Sequence, residues 1–437
     1  MVNNISRFFI NRRLKRESKV FSLHSSFNTK ALEQRIVALA DQLLEKKLVY
    51  LKPKSTAAHF EKIGLGILTT ELYDAGGHTP CCINFIKSFC SDYRIEFFIS
   101  RKAKSIKNLN KSKIDSIEYC VAINGSSASR YDFIKNAQDI YNHFILTDVN
   151  TIVLFINQND FAAVLALRWL KRLTAIRVIM FNLADHQPVV GMSQADKILD
   201  FREPGVLLTR QQRGYNNNVL VDLQSYAKHD LPEIAPCEVS AQRLEFGVNA
   251  EQCLSLTGCN AIKLFETDSS PYFEMIRDIL IENPEHKHVV VASFKADHAA
   301  LIEAIFAKNR QARQRLIIIP PTHKFDLLLQ SADFFIDSFP QGSALTHIDC
   351  MRNKTATIVK ANSQDPFKSF EDYLPKDYPF VAYTVDEMKQ QIQQLILDKD
   401  CRETTSEMLY DYFLQRFEGG VVKNIYRKII EENTITN

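Results

Sequence analysis

Glycine is scarce in this chain: 13 residues among 437, under half the ordinary share of about 7%. A place where glycines gather is therefore a place where the backbone needs them. GxGxxG does not occur, and no Walker A lysine follows a glycine loop, which argues against dinucleotide and P-loop sites. No CxxC pair occurs, so a structural zinc site has no support. The nine cysteines are odd in number and lie mostly in apolar segments, which fits reduced, packed thiols rather than a disulfide framework. No apolar run approaches the roughly 18 residues of a membrane span. Neither sign of charge dominates: 54 Lys and Arg face 51 Asp and Glu, a net charge of +3, which does not favour nucleic acid as a bulk electrostatic partner. The first twenty residues are the local exception. They carry Arg7, Arg12, Arg13, Lys15, Arg16 and Lys19 around Phe8, Phe9 and Ile10, and read either as a basic tail or as a segment for peripheral membrane contact.

A hydrophobic content of 46% and a charged content of 24% describe an ordinary globular chain of two to three domains. After an amphipathic helix at 31–47, short β-branched runs at 63–68, 95–100, 117–123, 151–156, 176–183 and 197–201 alternate with helical stretches. The segment 211–255 shows no long period and reads as a connection. Alternation then resumes with strands expected at 262–265, 288–294, 316–319, 334–337, 357–360 and 380–383. Strand followed by helix, repeated, is the pattern of a parallel sheet covered on both faces. The expected fold is α/β, with two Rossmann-like doubly wound domains facing across a cleft and an N-terminal helical extension. The expected boundaries are 1–60 for the tail and first helix, 61–245 and 246–415 for the two domains, and 416–437 for a C-terminal helix. Ligands of such folds bind at the carboxyl ends of the strands.

Three segments follow strands there. Glu71-Leu-Tyr-Asp-Ala-Gly-Gly-His-Thr-Pro80 places Gly76 and Gly77 in a turn ahead of a helix, with His78 and Thr79 beside them. Phe181-Asn-Leu-Ala-Asp-His-Gln-Pro-Val-Val-Gly191 sets Asp185 next to His186, suited to a base with its orienting carboxylate or to a pair of sugar-hydroxyl acceptors. The third runs from Asp337 to Asp349, where Gly342 and Ser343 precede a helix whose N-terminal N–H groups suit a diphosphate. Thr346 and Asp349 lie three apart on one helix face, so a hydroxyl can reach phosphate while a carboxylate accepts from ribose hydroxyls. The bland alternatives are an incidental His78, a satisfied loop cap at Asp185, and an N-cap at Ser343 with a solvated Asp349.

The stretch Asp337-Ser-Phe-Pro-Gln-Gly-Ser-Ala-Leu-Thr-His-Ile-Asp-Cys-Met351 resembles, in register, the D-T-x-P-x-x-G-x-T-T-x-x-D-x-L segment of GT-B glycosyltransferases related to O-GlcNAc transferase and the bacterial cytoplasmic N-glycosyltransferases. Asp-Ala-Gly-Gly-His-Thr79 and Asn-Leu-Ala-Asp-His186 are similar to the GGHT and N-H-A-D-H motifs of bacterial members. The resemblance implies a diphosphate role for Thr346, a ribose role for Asp349 and base stacking by Phe325, with His78 and His186 facing acceptor and transferred sugar. Departures are present. Leu345 stands in the Thr-Thr pair, Gly342 precedes the usual glycine position, Pro80 follows the GGHT segment, and Gln187-Pro-Val-Val replaces an aromatic stretch. The family's phosphate-holding lysine has no counterpart in register, Lys263 lying nearby.

The resemblance implies sugar transfer from a nucleotide diphosphate sugar, a UDP-sugar, to a glycan, lipid-linked or protein acceptor. It implies no cofactor and no metal, a cytoplasmic enzyme, and a place in surface polysaccharide biosynthesis. The one D-x-D triplet, Asp398-Lys-Asp400, follows an expected helix rather than a strand, so an acidic metal clamp has little support. Segment 337–349 also lacks the glutamate of retaining members, which favours inversion. Two rivals remain open at this point: a catalytically degenerate relative serving as a binding partner or chaperone of another glycosyltransferase, and a nucleotide-sugar epimerase on the same frame.

Overall fold

The computed structural model describes residues 2–21, 26–53, 61–73, 77–102, 115, 117–118, 120–223, 234–249 and 251–432. They belong to two compact units, Met1–Gln224 with Val422–Asn437, and Ser225–Val421.

In the first unit, β1 (Gly64–Thr69), β2 (Arg94–Ile99), β3 (Asn124–Gly125), β4 (Thr151–Phe155), β5 (Arg177–Phe181), β6 (Lys197–Asp200) and β7 (Asn218–Leu220) form one sheet in the order β3-β2-β1-β4-β5-β6-β7. Every recorded pairing is parallel. β1 and β4 are buried along their whole length, as strands covered by helices on both faces must be. The helices are α1 (Val2–Phe21), α2 (Lys30–Glu45), α3 (His78–Phe89), α4 (Phe133–Leu146), α5 (Phe161–Leu173) and α6 (Glu203–Gln211). α5 is buried nearly all round, and the indole of Trp169 donates to the Ala40 carbonyl at 3.0 Å, fixing α5 to α2. Asp132 and Asp160 start α4 and α5 by accepting a backbone N–H from the first turn.

In the second unit, β8 (Leu254–Gly258), β9 (Lys287–Val291), β10 (Leu316–Ile319), β11 (Phe334–Ile336), β12 (Ala356–Lys360) and β13 (Val381–Ala382) pair in the order β10-β9-β8-β11-β12-β13. Its helices are α7 (Pro236–Glu245), α8 (Pro271–Glu282), α9 (Ala296–Phe306), α10 (Arg310–Arg315), α11 (Phe325–Ser331), α12 (Ala344–Arg352), α13 (Val385–Leu397) and α14 (Lys399–Arg416). Both sheets contain the doubly wound order 3-2-1-4-5-6, which reverses direction between its first and fourth strands. The switch points are therefore β1/β4 and β8/β11.

Several sequence expectations need correction. The basic N-terminus is no tail: α1 seats Ile10, Leu14 and Phe21 in the core. The run 117–123 is not a strand. Its Ile117 and Glu118 are helical, and the edge strand β3 is only two residues long; an edge strand pairs on one side only and gives little apolar signal. The strand expected at 262–265 is a short 3₁₀ helix, Ala261–Leu264. The first strand of the unit is β8, which begins in the last two residues of the expected connection and ends ahead of the expected strand. The second unit begins ahead of α7, not after residue 245, because α7 belongs with α11: Arg243 donates to the Ser331 carbonyl at 2.8 Å and to Asp333 at 3.0 Å. The last helix, α15 (Gly419–Glu431), starts at the glycine pair and mostly joins the first unit. There its Tyr426 packs on Phe85 and Phe181 and donates to the Asp222 carbonyl at 2.7 Å.

β8 was missed for a physical reason. Its Ser255 and Thr257 are polar but fully buried, because they belong to a chain of side chains crossing the core. Thr257 Oγ1 donates to the Ile336 carbonyl at 2.5 Å, and Tyr272 Oη donates to Thr257 Oγ1 at 2.6 Å. His288 Nε2 lies 2.7 Å from Tyr272 Oη, Ser255 Oγ 2.7 Å from His288 Nδ1, and His286 Nε2 2.9 Å from Ser255 Oγ. The Ile336 carbonyl can only accept, so each hydroxyl's single proton is committed in turn. His288 must carry its proton on Nε2, Ser255 must donate to His288 Nδ1, and His286 must donate from Nε2. The whole chain is directed and both imidazoles are neutral.

Candidate functional site

In the second unit the candidates gather at the carboxyl ends of β8, β10 and β11. Phe325 opens α11, and its ring rests on Gly258, the last residue of β8. A Cβ at that position would stand 2.4 Å from Phe325 Cε2 and 2.5 Å from Cζ, so glycine is required for the ring to lie there. Gly342 is required by a similar approach, since its Cβ would stand 2.7 Å from Asp337 Oδ2. Asp337 is the buried post of this loop. Its Oδ1 accepts the Ser343 N–H at 3.2 Å, and its Oδ2 lies 3.2 Å from His347 Nε2. Ser343 occupies the N-cap position of α12, but its side chain caps nothing. The hydroxyl instead meets Lys263 Nζ at 3.2 Å. Lys263 also donates to the Gly342 carbonyl at 2.7 Å, and burial lowers its pKa while Asp337 and Cys259 pull the other way. A desolvated ammonium thus stands at the helix start whose first N–H groups have no intrahelical partner.

Thr346 is in the first turn of α12 and Asp349 one turn further on, both partly buried. Arg352 lies 3.3 Å from Asp349 Oδ1 and also pairs with Asp326, tying α12 to the residue after Phe325. Burial pushes the Asp349 carboxyl up to about 6, with Arg352 opposing and Asp326 adding to the rise. The donor-binding candidates Phe325, Gly342, Ser343, Thr346 and Asp349 therefore share one edge of one unit. Lys263, Gly258 and Asp337 join them, Lys263 from the short 3₁₀ helix that follows β8.

In the first unit, His78 is the first residue of α3 and sits at the β1/β4 switch point. Its Nε2 lies 2.9 Å from the Phe155 carbonyl at the end of β4. A carbonyl only accepts, so Nε2 carries the proton and Nδ1 bears the lone pair; Nδ1 is buried and has no hydrogen-bond partner. Burial lowers the pKa of His78 to about 4, the Phe155 carbonyl opposing, so the ring is neutral at pH 7. Gly77 is the N-cap of α3. Thr79 is buried and its Oγ1 accepts the Tyr73 N–H at 2.7 Å, so it shapes the loop. Gly76 lies outside the described residues.

The ends of β1, β2 and β4 carry a polar network that no single stretch of sequence shows. Arg101 pairs with the buried Glu71 at 2.9 Å, Tyr73 Oη donates to Glu71 at 2.8 Å, and Asn157 Nδ2 donates to Tyr73 Oη at 2.8 Å. Thr70 and Ser100 each donate to Asp160 at 2.6 Å, binding the ends of β1 and β2 to the cap of α5. Such a satisfied network fixes backbone at a strand edge.

Asp185 and His186 follow β5, which β4 separates from β1. Asp185 Oδ1 lies 3.4 Å from His186 Nδ1, and Oδ2 is 3.8 Å from Arg202. The buried Arg213 grips the loop by donating to the carbonyls of Asp185 and Gln187, both at 2.7 Å. Asp398 caps α14 by accepting the Cys401 N–H at 2.9 Å. Among the described residues no group of three His, Cys, Asp or Glu is arranged to hold a metal, and no helix is long and apolar enough to cross a membrane.

No protein-family model matches the sequence. A search of curated proteins also finds no match. Solved structures do match. A glycosyltransferase from Rickettsia africae superposes with a TM-score of 0.67 at 11% identity, covering 86% of this chain and 100% of its own. HepE of Anabaena in complex with UDP gives 0.65 at 12%, covering 85% and 100%. The O-GlcNAc transferase of Thermobaculum terrenum gives 0.58 at 11%, covering 95% and 77%. At such identities the likeness is one of fold, and with two doubly wound parallel sheets of seven and six strands the chain has the GT-B fold found in glycosyltransferases.

Proposed function

We propose that the chain transfers a sugar from a UDP-sugar to a glycan, lipid-linked or protein acceptor, by a metal-independent inverting displacement. One observation carries this reading: Lys263 Nζ stands at the N-terminus of α12, on the edge that also holds Phe325, Thr346 and Asp349. That edge offers an aromatic face for a base, a carboxylate for ribose hydroxyls, and an ammonium with free helix N–H groups for a diphosphate. The UDP held by HepE is of this chemical class.

In the reaction an acceptor hydroxyl oxygen attacks the anomeric carbon, and the bond from that carbon to the phosphate oxygen breaks. The acceptor proton passes to His78 Nδ1, the lone pair left open by the Phe155 contact. Lys263 and the α12 N–H groups take the charge developing on the leaving diphosphate, and Asp185 orients His186 towards the transferred sugar.

Calorimetric titration with UDP tests the reading. Saturable binding is expected; no heat at millimolar UDP would overturn it in favour of a non-catalytic binding partner. The pH dependence adds a residue-level check. Ribose hydroxyls donate to the charged form of Asp349, so affinity should be flat from pH 8 to 7 and fall as pH drops through about 6, and Asp349→Asn should abolish that limb. Gly258→Ala should displace the Phe325 ring and weaken UDP about tenfold, the scale of one base stack. Pyrophosphate affinity should not change.

A further inference from the structure

α1 has one face seated and one face open. Ile10, Leu14 and Phe21 are buried, Arg7 donates to Gln138 at 2.8 Å, and Asn11 bonds to the Tyr131 carbonyl and the Phe133 N–H, both at 3.1 Å. At 100° per residue these positions share one side of the helix. The other side presents Ile5, Phe8 and Phe9, which are 55%, 63% and 59% exposed. Arg12, Arg13, Lys15, Arg16 and Lys19 follow on that side and are exposed as well. The acid within the helix, Glu17, is paired with Arg35 at 3.0 Å. The cationic surface continues beyond the helix, because Lys15 and Arg130 lie 4.8 and 4.9 Å from the centre of the partly exposed Tyr131 ring. The exposed face is thus apolar in its first turns and basic in the rest, while the opposite face fixes its orientation.

We propose that this face docks on an anionic lipid bilayer. Ile5, Phe8 and Phe9 enter the boundary between headgroups and acyl chains, and the five exposed cations of α1 with Arg130 meet the lipid phosphates. A nucleic acid would use the cations but has no place for Ile5, Phe8 and Phe9 together, and a protein partner would not require so uniform a charge. The docking is independent of the reaction proposed above.

Sedimentation of the full chain with vesicles tests it. The chain should pellet with phosphatidylcholine vesicles containing about 30% phosphatidylglycerol, stay in solution with phosphatidylcholine alone, and be released by high salt. Arg12→Glu with Arg13→Glu and Arg16→Glu should lower partitioning at least about tenfold. Phe8→Ser with Phe9→Ser should lower it several-fold without changing the charge. All these side chains point outward, so melting temperature and UDP affinity should stay as in the parent. A parent chain that stays in solution, equal binding to neutral vesicles, or variants that pellet as well as the parent would each overturn the proposal. So would retention on nucleic acid with none on vesicles.

Discussion

His78→Ala is expected to lower kcat by a factor of about 10² to 10⁴, the range for loss of a positioned general base, while UDP affinity stays within about twofold of the parent. The split follows from placement. His78 stands on the first unit, and every donor-binding candidate stands on the second. The Phe155 carbonyl fixes the Nε2 proton, so the ring presents Nδ1 and nothing else, and the low pKa of about 4 sets the pH behaviour. Between pH 5 and 8 the ring stays neutral, so an acid limb due to His78 appears only near pH 4. An exposed histidine acting as base would show its limb near pH 6.5. Unchanged turnover in the variant would remove His78 from the reaction and leave His186 as the base.

Lys263→Ala should lower kcat/KM by about 10² to 10³, comparable to losing one preorganised donor to a developing anion. Here binding should suffer too, because a diphosphate is anionic before as well as after transfer. Comparing ligands isolates the effect: UDP should weaken strongly and uridine hardly at all. The ammonium is desolvated where it stands, so removing it relieves a burial cost even as the Gly342 carbonyl and Ser343 hydroxyl lose a donor. A small change in melting temperature with a large loss in UDP affinity is the expected pair. Equal loss of uridine and UDP would mean that the loop had collapsed and that the lysine is structural.

Most of the architecture was legible because buried parallel strands are dense in apolar residues. Thr151–Phe155 and Leu316–Ile319 announce themselves, and alternation with amphipathic helices gave two doubly wound units. The pattern failed at β8, where burial is polar. Ser255 and Thr257 interrupt β8 with hydroxyls whose partners, His286, His288 and Tyr272, are remote in sequence, so the local pattern lacks a strand signal there and carries one at the neighbouring Ile262–Phe265. Lys263, out of register with the family's lysine in the sequence, stands on the short 3₁₀ helix after β8. The helix-face argument for Thr346 and Asp349 needed only local spacing. The polar network combines Glu71, Arg101 and Asn157 from just past three strand ends, a coincidence no single stretch of sequence displays.

The directed chain from His286 to the Ile336 carbonyl also sets an acid limit on the second unit. An added proton on His288 would go to Nδ1 and turn the Ser255 hydroxyl round, whereas one on His286 Nδ1 would reverse no bond but leave a buried charge; burial holds His286 at about 3 and His288 well below its ordinary value. Unfolded, both would titrate near 6.5. The chain's contribution is therefore complete above about pH 6.5 and is lost progressively as pH falls below that value, because the unfolded histidines take up protons that the folded ones exclude. A wire of fixed hydrogen bonds that steadies the core at neutral pH becomes the place where acid enters.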